Sequence, residues 1–325
     1  MGAIIERSEP IFIIDPCFFL YILSPKYFII KYEPFKHIEI NNIFDQNHFK
    51  NIVNSEDIKF PEFKSDVELI KHLENSSYNA IEFPGCITNT KDYLKWHKNK
   101  SGKVYNVSST EGFGMTYRLK DTNSEILNNL IKFFESESFK NVVAEKFSIN
   151  LKDVTFDQGI QKYLDGYEIS PHPDLRSKAL TYMININPSK DSEKTTHHTH
   201  YMKFKNEYKY IQEYWKGNEK SDRCWVPWNW CETIKRQTKN NSIVIFAPDN
   251  DTIHAVDTNY SHLKYQRTQM YGNFWWKKDL IKIKKIKAQP KWENYIIEQS
   301  NQAPKKNIIT KIISSISKKI INKIK

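Results

Sequence analysis

Tyr163-Leu164-Asp165-Gly166-Tyr167-Glu168-Ile169-Ser170-Pro171-His172-Pro173-Asp174 is the stretch on which the reading of this chain turns. It begins as a strand, turns at Gly166 and resumes extended backbone into His172 and Asp174. Residues 178–187 follow as an alternating apolar run closed by Pro188. Further on, residues 241–246 read as a short buried strand, stopped by Ala247-Pro248-Asp249-Asn250-Asp251. Residues 253–256 resume extended structure, and 267–276 form a last aromatic-rich strand. Short strands separated by turns predict a mainly β domain with supporting helices. The class is a double-stranded β-helix (jelly-roll, cupin-like) barrel, not a sheet alternating with helices.

Two side chains two apart on extended backbone point the same way, so His172 and Asp174 face one side together. His254 can reach them from a distant strand, and Arg267 follows one strand later. Two imidazoles and one carboxylate suit a ferrous ion that must keep coordination positions open. A guanidinium nearby can hold a dicarboxylic acid by a bidentate, charge-assisted fork. An isolated His-x-Asp is common by chance; the ordered set of motif, buried strand, distal His and spaced Arg is what carries the reading.

That order resembles the 2-oxoglutarate and Fe(II)-dependent oxygenase superfamily, in particular its prolyl-hydroxylase-like branch, over roughly residues 34–278. The family pattern is His-x-Asp, a distal His, and an Arg or Lys roughly ten to fifteen residues on. Residues 34–44 resemble the family's first strand and the start of its first supporting helix. The resemblance implies that His172, Asp174 and His254 are the metal ligands and catalytic centre. It implies that Arg267 binds the far carboxylate of 2-oxoglutarate, and that Tyr163 and Asn185 steady this co-substrate. The implied cofactors are Fe(II), 2-oxoglutarate and O2, with ascorbate as an optional reductant. The implied reaction is hydroxylation of a substrate with release of succinate and CO2. Where many relatives have Arg-x-Ser, this chain has Arg267-Thr268-Gln269. Tyr163-x-x-Gly166 also resembles alkylated-base repair dioxygenases, but Asn273 stands where those carry a second Arg, which disfavours nucleic acid as substrate.

Other features stay open between two readings. His197-His198-Thr199-His200 is a loop near the barrel mouth touching substrate, or a metal ligand set, although no Cys lies near it in sequence. Trp225, Trp228 and Trp230 are core packing or an aromatic wall for substrate. Residues 61–150 read as mixed helical packing, with Ser124 as a cap for a helix over 125–134. Residues 201–221 read as an inserted helix that can act as a lid.

The 325 residues suffice for one large core with appendages. Residues 1–33 are an N-terminal extension, 34–288 the oxygenase-like domain, 289–304 a polar linker and 305–325 a basic amphipathic helix. That last segment has eight Ile on one helical face, seven Lys and no acid, and it carries +7 of the net +11. It lies on an anionic membrane surface or docks on a protein surface; without Arg or interleaved aromatics, nucleic acid ranks third. Cys17, Cys86, Cys224 and Cys231 form neither a CxxC pair nor a disulfide scaffold, and no uninterrupted apolar run reaches a membrane span. A cytoplasmic setting, with peripheral membrane contact through the tail, is the expectation. The competing function class is a non-catalytic jelly-roll binding protein targeted by that helix. The substrate is chosen by loops and is not legible here; a small molecule, a peptidyl group and a glycan all suit the same iron chemistry.

Overall fold

A computed structural model describes residues 28–81, 87–99, 114–258 and 260–281. The strands are β1 (Ile30–Lys31), β2 (His37–Asn41), β3 (Tyr78–Ala80), β4 (Thr116–Leu119), β5 (Val154–Tyr163) and β6 (Glu168–His172). They continue as β7 (Lys178–Asn185), β8 (Thr199–Phe204), β9 (Cys231–Arg236), β10 (Ser242–Phe246), β11 (His254–Asp257) and β12 (Thr268–Trp276). An eight-stranded antiparallel sheet runs β1-β2-β10-β7-β12-β5-β4-β3, and a four-stranded one runs β6-β11-β8-β9. From β5 onward the chain passes repeatedly between the two sheets, and among the described residues no ladder closes them into one circuit.

Period-two alternation explains why the large sheet is buried on both faces. Leu180, Tyr182 and Ile184 of β7, with Met270 and Phe274 of β12, join the main apolar core. The intervening Met183 faces the other way, packing with Tyr201 of β8 and with Val244 and Phe246 of β10. One face is therefore for helices, and the other meets the small sheet.

The helices are α1 (Gln46–Asn54), α2 (Asp66–Asn75), α3 (Thr90–Asn99), α4 (Glu125–Glu135), α5 (Glu137–Lys146), α6 (Tyr210–Gly217) and α7 (His262–Tyr265). Asp45 starts α1 by accepting from the amides of Asn47 and His48. The apolar stripe of α4 (Leu127, Leu130, Phe133, Phe134) is buried in the main core, and the Phe134 ring stacks on Tyr182 at 5.5 Å. Burying such a stripe stabilises by about 1.5–3 kcal/mol per large side chain, which is why propensity alone need not hold the helix.

Several expectations shift. Ser124 precedes α4, but its side chain makes no capping hydrogen bond; its own amide donates to Thr122 Oγ1. Residues 61–150 contain β3 and β4 as well as helices, and these extend the large sheet. The helix expected over 201–221 is shorter: residues up to Phe204 belong to β8, because Met202 and Phe204 alternate into a second apolar core. Residues 30–31 of the expected N-terminal extension already pair with β2. The linker 289–304, the basic segment 305–325, Cys17 and Cys86 lie outside the described residues. Cys224 and Cys231 are buried and not joined in a disulfide. Among the described residues no helix is long and apolar enough to cross a membrane.

Candidate metal and dicarboxylate site

His172 ends β6 and His254 begins β11, directly opposite each other in the ladder, with ring centroids 4.4 Å apart. The pairing slips between His254 and Val256, so Ile169 and His172 line one cavity although they stand three positions apart. A bulge that re-aims a side chain is a common device beside a working site. Asp174 follows two residues after His172, and its Oδ1 lies 3.7 Å from His172 Nε2 and 3.9 Å from His254 Nε2.

The surrounding groups hold these three donors in a ligand-ready form. His172 Nδ1 lies 2.8 Å from the Ser170 carbonyl and His254 Nδ1 lies 3.0 Å from the Thr252 carbonyl. A carbonyl only accepts, so both Nδ1 atoms carry the proton and both Nε2 lone pairs are free to coordinate. Burial, followed by the neighbouring His172, depresses the His254 pKa to about 3, so its imidazole is neutral. Burial alone would raise the Asp174 pKa. The Lys178 ammonium, with His172 and His254, overrides it and keeps the group a carboxylate. Thr181 Oγ1 donates to Asp174 Oδ2 at 2.7 Å, and Lys178 Nζ donates to Oδ1 at 2.8 Å. Two imidazoles with their Nε2 atoms turned inward and a carboxylate with unused lone pairs fit a divalent transition metal.

Arg267 shares the cavity. Only 2 % of it is exposed; Nη2 donates to Thr199 Oγ1 at 3.2 Å, and Nη1 has no hydrogen-bond partner. Its guanidinium lies 4.2 Å over the Tyr163 ring. No ion pair joins it to a carboxylate among the described residues. A buried cation with an unsatisfied N–H is costly unless an anion completes it. A carboxylate supplied by a ligand does that.

Alternation along three neighbouring strands builds the wall between these groups. Asp157, Gln161 and Tyr163 of β5, Met183 of β7, and Gln269, Tyr271, Asn273 and Trp275 of β12 all line the cavity, whose volume is about 590 Å3. Arg267 keeps the β12 parity one residue before that strand begins. Tyr163 lies in the cavity wall, under the guanidinium. Asn185 does not. It is absent from the cavity wall, with its Nδ2 donating to the Gln237 and Lys239 carbonyls and its Oδ1 accepting from Gln269 Nε2. The amide is consumed in fixing Gln269, which does face the cavity.

The histidine tract departs from both readings of it. His197 and His198 are buried just before β8, and His200 lies within it, its Nδ1 2.9 Å from Thr233 Oγ1. None of the three lines the cavity. Burial, with the nearby Arg267 charge, holds the His198 pKa down at about 4. Of the tryptophans, Trp225 joins the cavity wall, whereas Trp228 donates to Glu168 Oε1 and Trp230 stacks on Tyr208. Thr181 and Thr199 were given no role from the sequence, and Gln269 stood only as the departure from Arg-x-Ser. Strand parity relative to Met183 and Arg267 is the signal that could have found Thr181 and Gln269.

No family model and no curated protein matches this chain. Among solved structures it is similar to a Pseudomonas putida prolyl-4-hydroxylase, with 7% identity, a TM-score of 0.39, and 74% of this chain and 92% of that one covered. A Trichoplax adhaerens prolyl hydroxylase in complex with a hypoxia inducible factor oxygen degradation domain peptide fragment has 11% identity and a TM-score of 0.39, covering 74% and 83%. A Burkholderia pseudomallei oxidoreductase of the 2OG-Fe(II) oxygenase family has 8% identity and a TM-score of 0.29, covering 66% and 94%.

Proposed function

We propose that this protein is an Fe(II)- and 2-oxoglutarate-dependent dioxygenase on a double-stranded β-helix. The observation that carries the reading is the pairing, in one cavity, of a buried His-Asp-His donor set with a buried guanidinium that has an unsatisfied N–H. A metal site alone would leave Arg267 without a task, and an anion site alone would leave three converging donors without one.

Fe(II), 2-oxoglutarate and O2 together supply oxidative decarboxylation to succinate and CO2, coupled to hydroxylation of a substrate carbon. The chain supplies position. His172, Asp174 and His254 would hold the metal on one side, Thr181 fixing the carboxylate and the Ser170 and Thr252 carbonyls fixing the imidazoles. Arg267 would take the distal carboxylate, its plane set by the Tyr163 ring and by Thr199. Trp225, Tyr271, Trp275 and Leu175 enclose the remaining space with apolar surface and limit water. An apolar portion of the substrate would lie against that wall.

The test is succinate formation from 2-oxoglutarate by metal-stripped protein given Fe(II), with pooled small-molecule and peptide substrates. Turnover should require Fe(II) and vanish in His172→Ala and Asp174→Ala. Turnover that persists in both variants would overturn the assignment.

A further inference from the structure

Arg118, Lys178, Arg223 and Arg267 are the Lys and Arg side chains in the cavity wall. Two of them are neutralised within the protein. Arg118 Nη1 donates to Asp157 Oδ1 at 2.7 Å, and Lys178 Nζ donates to Asp174 Oδ1 at 2.8 Å. Arg267 is free for the distal carboxylate of 2-oxoglutarate. Arg223 remains, a guanidinium of which only 3 % is exposed.

We propose that Arg223 anchors the substrate: its guanidinium receives the carboxylate of a small organic acid whose apolar body lies along Trp225, Trp275 and Leu175. Calling that acid the substrate rests on the dioxygenase reading; its binding does not.

The hydrogen bonds of Arg223 point to a ligand. Nε donates to the Asp174 carbonyl at 3.0 Å, and neither Nη1 nor Nη2 has a hydrogen-bond partner among the described residues. One carboxylate, Asp249, comes within ion-pair range, its Oδ1 3.9 Å from Nη1. That is beyond hydrogen-bond reach, and the Asp249 side chain is 75% exposed, so water screens the pair. Asp222 is turned to another task, its Oδ1 accepting from the Arg176 amide at 2.8 Å. Burial and the Arg176 charge lower the Arg223 pKa to about 10, which leaves a cation at neutral pH. A buried fork with two unsatisfied nitrogens is costly until an anion completes it.

The backbone holds that fork in place. Residues 223–226 lie beside 171–174, the Val226 amide donating to the Pro171 carbonyl at 2.9 Å and Arg223 Nε to that of Asp174. Arg176 pins the approach, its Nε donating to the Ser221 carbonyl at 2.7 Å and its Nη2 to that of Trp215 at 2.6 Å. An acid held by Arg223 has its chain against Trp225, whose ring centroid is 6.0 Å from that of His172. The cavity of about 590 Å3 suits a small molecule. A monoanion fits better than a dianion, because the Asp174 and Asp249 charges also act on this guanidinium and repel each added negative charge. The group assigned is therefore a carboxylate and not a phosphate monoester.

The experiment is calorimetric titration of the full, metal-stripped chain carrying Arg267→Ala, which removes the other unpaired cation. The probes are aliphatic and arylalkanoic monocarboxylates, each paired with its primary amide and with the phosphate monoester of the same chain. At least one acid should bind about 10-fold or more tightly than its amide, and adding Arg223→Gln should abolish that preference. Arg223→Lys, which keeps the charge and loses the planar fork, should retain only part of it, and takes the place of Arg223→Gln if that chain does not fold. The assignment is overturned if no acid is preferred to its amide, if the preference survives Arg223→Gln or is left whole by Arg223→Lys, or if the phosphates bind more tightly than the acids. The dioxygenase reading fails separately, by a native chain that binds neither Fe(II) nor 2-oxoglutarate while the acid preference stands.

Discussion

Two clusters in this protein each set a pair of imidazoles around one carboxylate, and they are built in opposite ways. At His172, Asp174 and His254 the frame is sheet: opposite ladder positions present both rings, and the carbonyl two residues before each histidine holds its Nδ1 atom. At Asp66, His97 and His262 the frame is helix ends, and a side chain, Asp165, does the holding. The first opens on a cavity of about 590 Å3 with an unsatisfied cation in it; the second joins elements, without such a neighbour among the described residues. The same residue types thus adjoin open space and an unsatisfied guanidinium in one place, and tie helix ends to a strand turn in the other.

The largest expected effect is at Arg267. Arg267→Ala should weaken 2-oxoglutarate binding by about 2–5 kcal/mol, the cost of truncating a buried, hydrogen-bonded charge pair, read as a shift in its dissociation constant. Without the co-substrate the same change should cost little stability, because the charge removed is buried and unpaired. Large destabilisation with unaltered 2-oxoglutarate affinity would show that the guanidinium is structural.

Thr181→Val comes next. It removes the donor to Asp174 Oδ2 while keeping the volume, and should lower Fe(II) affinity by roughly 10–100-fold.

A smaller effect is a pH response belonging to neither cluster. Lys162 is buried, its Nζ donating to the Ile58 carbonyl and to Thr268 Oγ1. Burial, opposed by the Asp57 charge, lowers its pKa from 10.5 to about 7. Between those values the unfolded chain binds more protons than the folded one, so stability should rise as pH rises through that window. In denaturant titrations across it, Lys162→Met should flatten the rise. An unchanged slope would assign the response elsewhere. Smallest is the contribution of the basic segment: deleting residues 305–325 should abolish co-sedimentation with anionic vesicles while leaving succinate formation intact. Retained sedimentation would remove the membrane from the account.

Much of this was legible in the sequence because it rests on alternation and spacing. His172, Asp174, His254 and Arg267 were readable as a set, since strand parity decides which way each one faces. Tyr163 came with them. Asn185 did not, because the sequence gives no sign that two carbonyls and Gln269 consume its amide. The histidine tract looked like a loop because its polarity hides the alternation of Met202 and Phe204 that makes the following residues a strand. The second cluster was illegible for a different reason. Asp66, His97, Asp165 and His262 come from four separated segments with no motif spacing, and only the packing of helix ends against a strand turn unites them.

The central claim is tested most directly by anaerobic titration of metal-stripped protein with Fe(II) and 2-oxoglutarate, following the visible charge-transfer absorption of the iron-bound keto acid. The account requires the band to appear only with both ligands present, to saturate near one iron per chain, and to be absent from His172→Ala and His254→Ala. A chain that takes up no Fe(II), or a band that survives both substitutions, would contradict it.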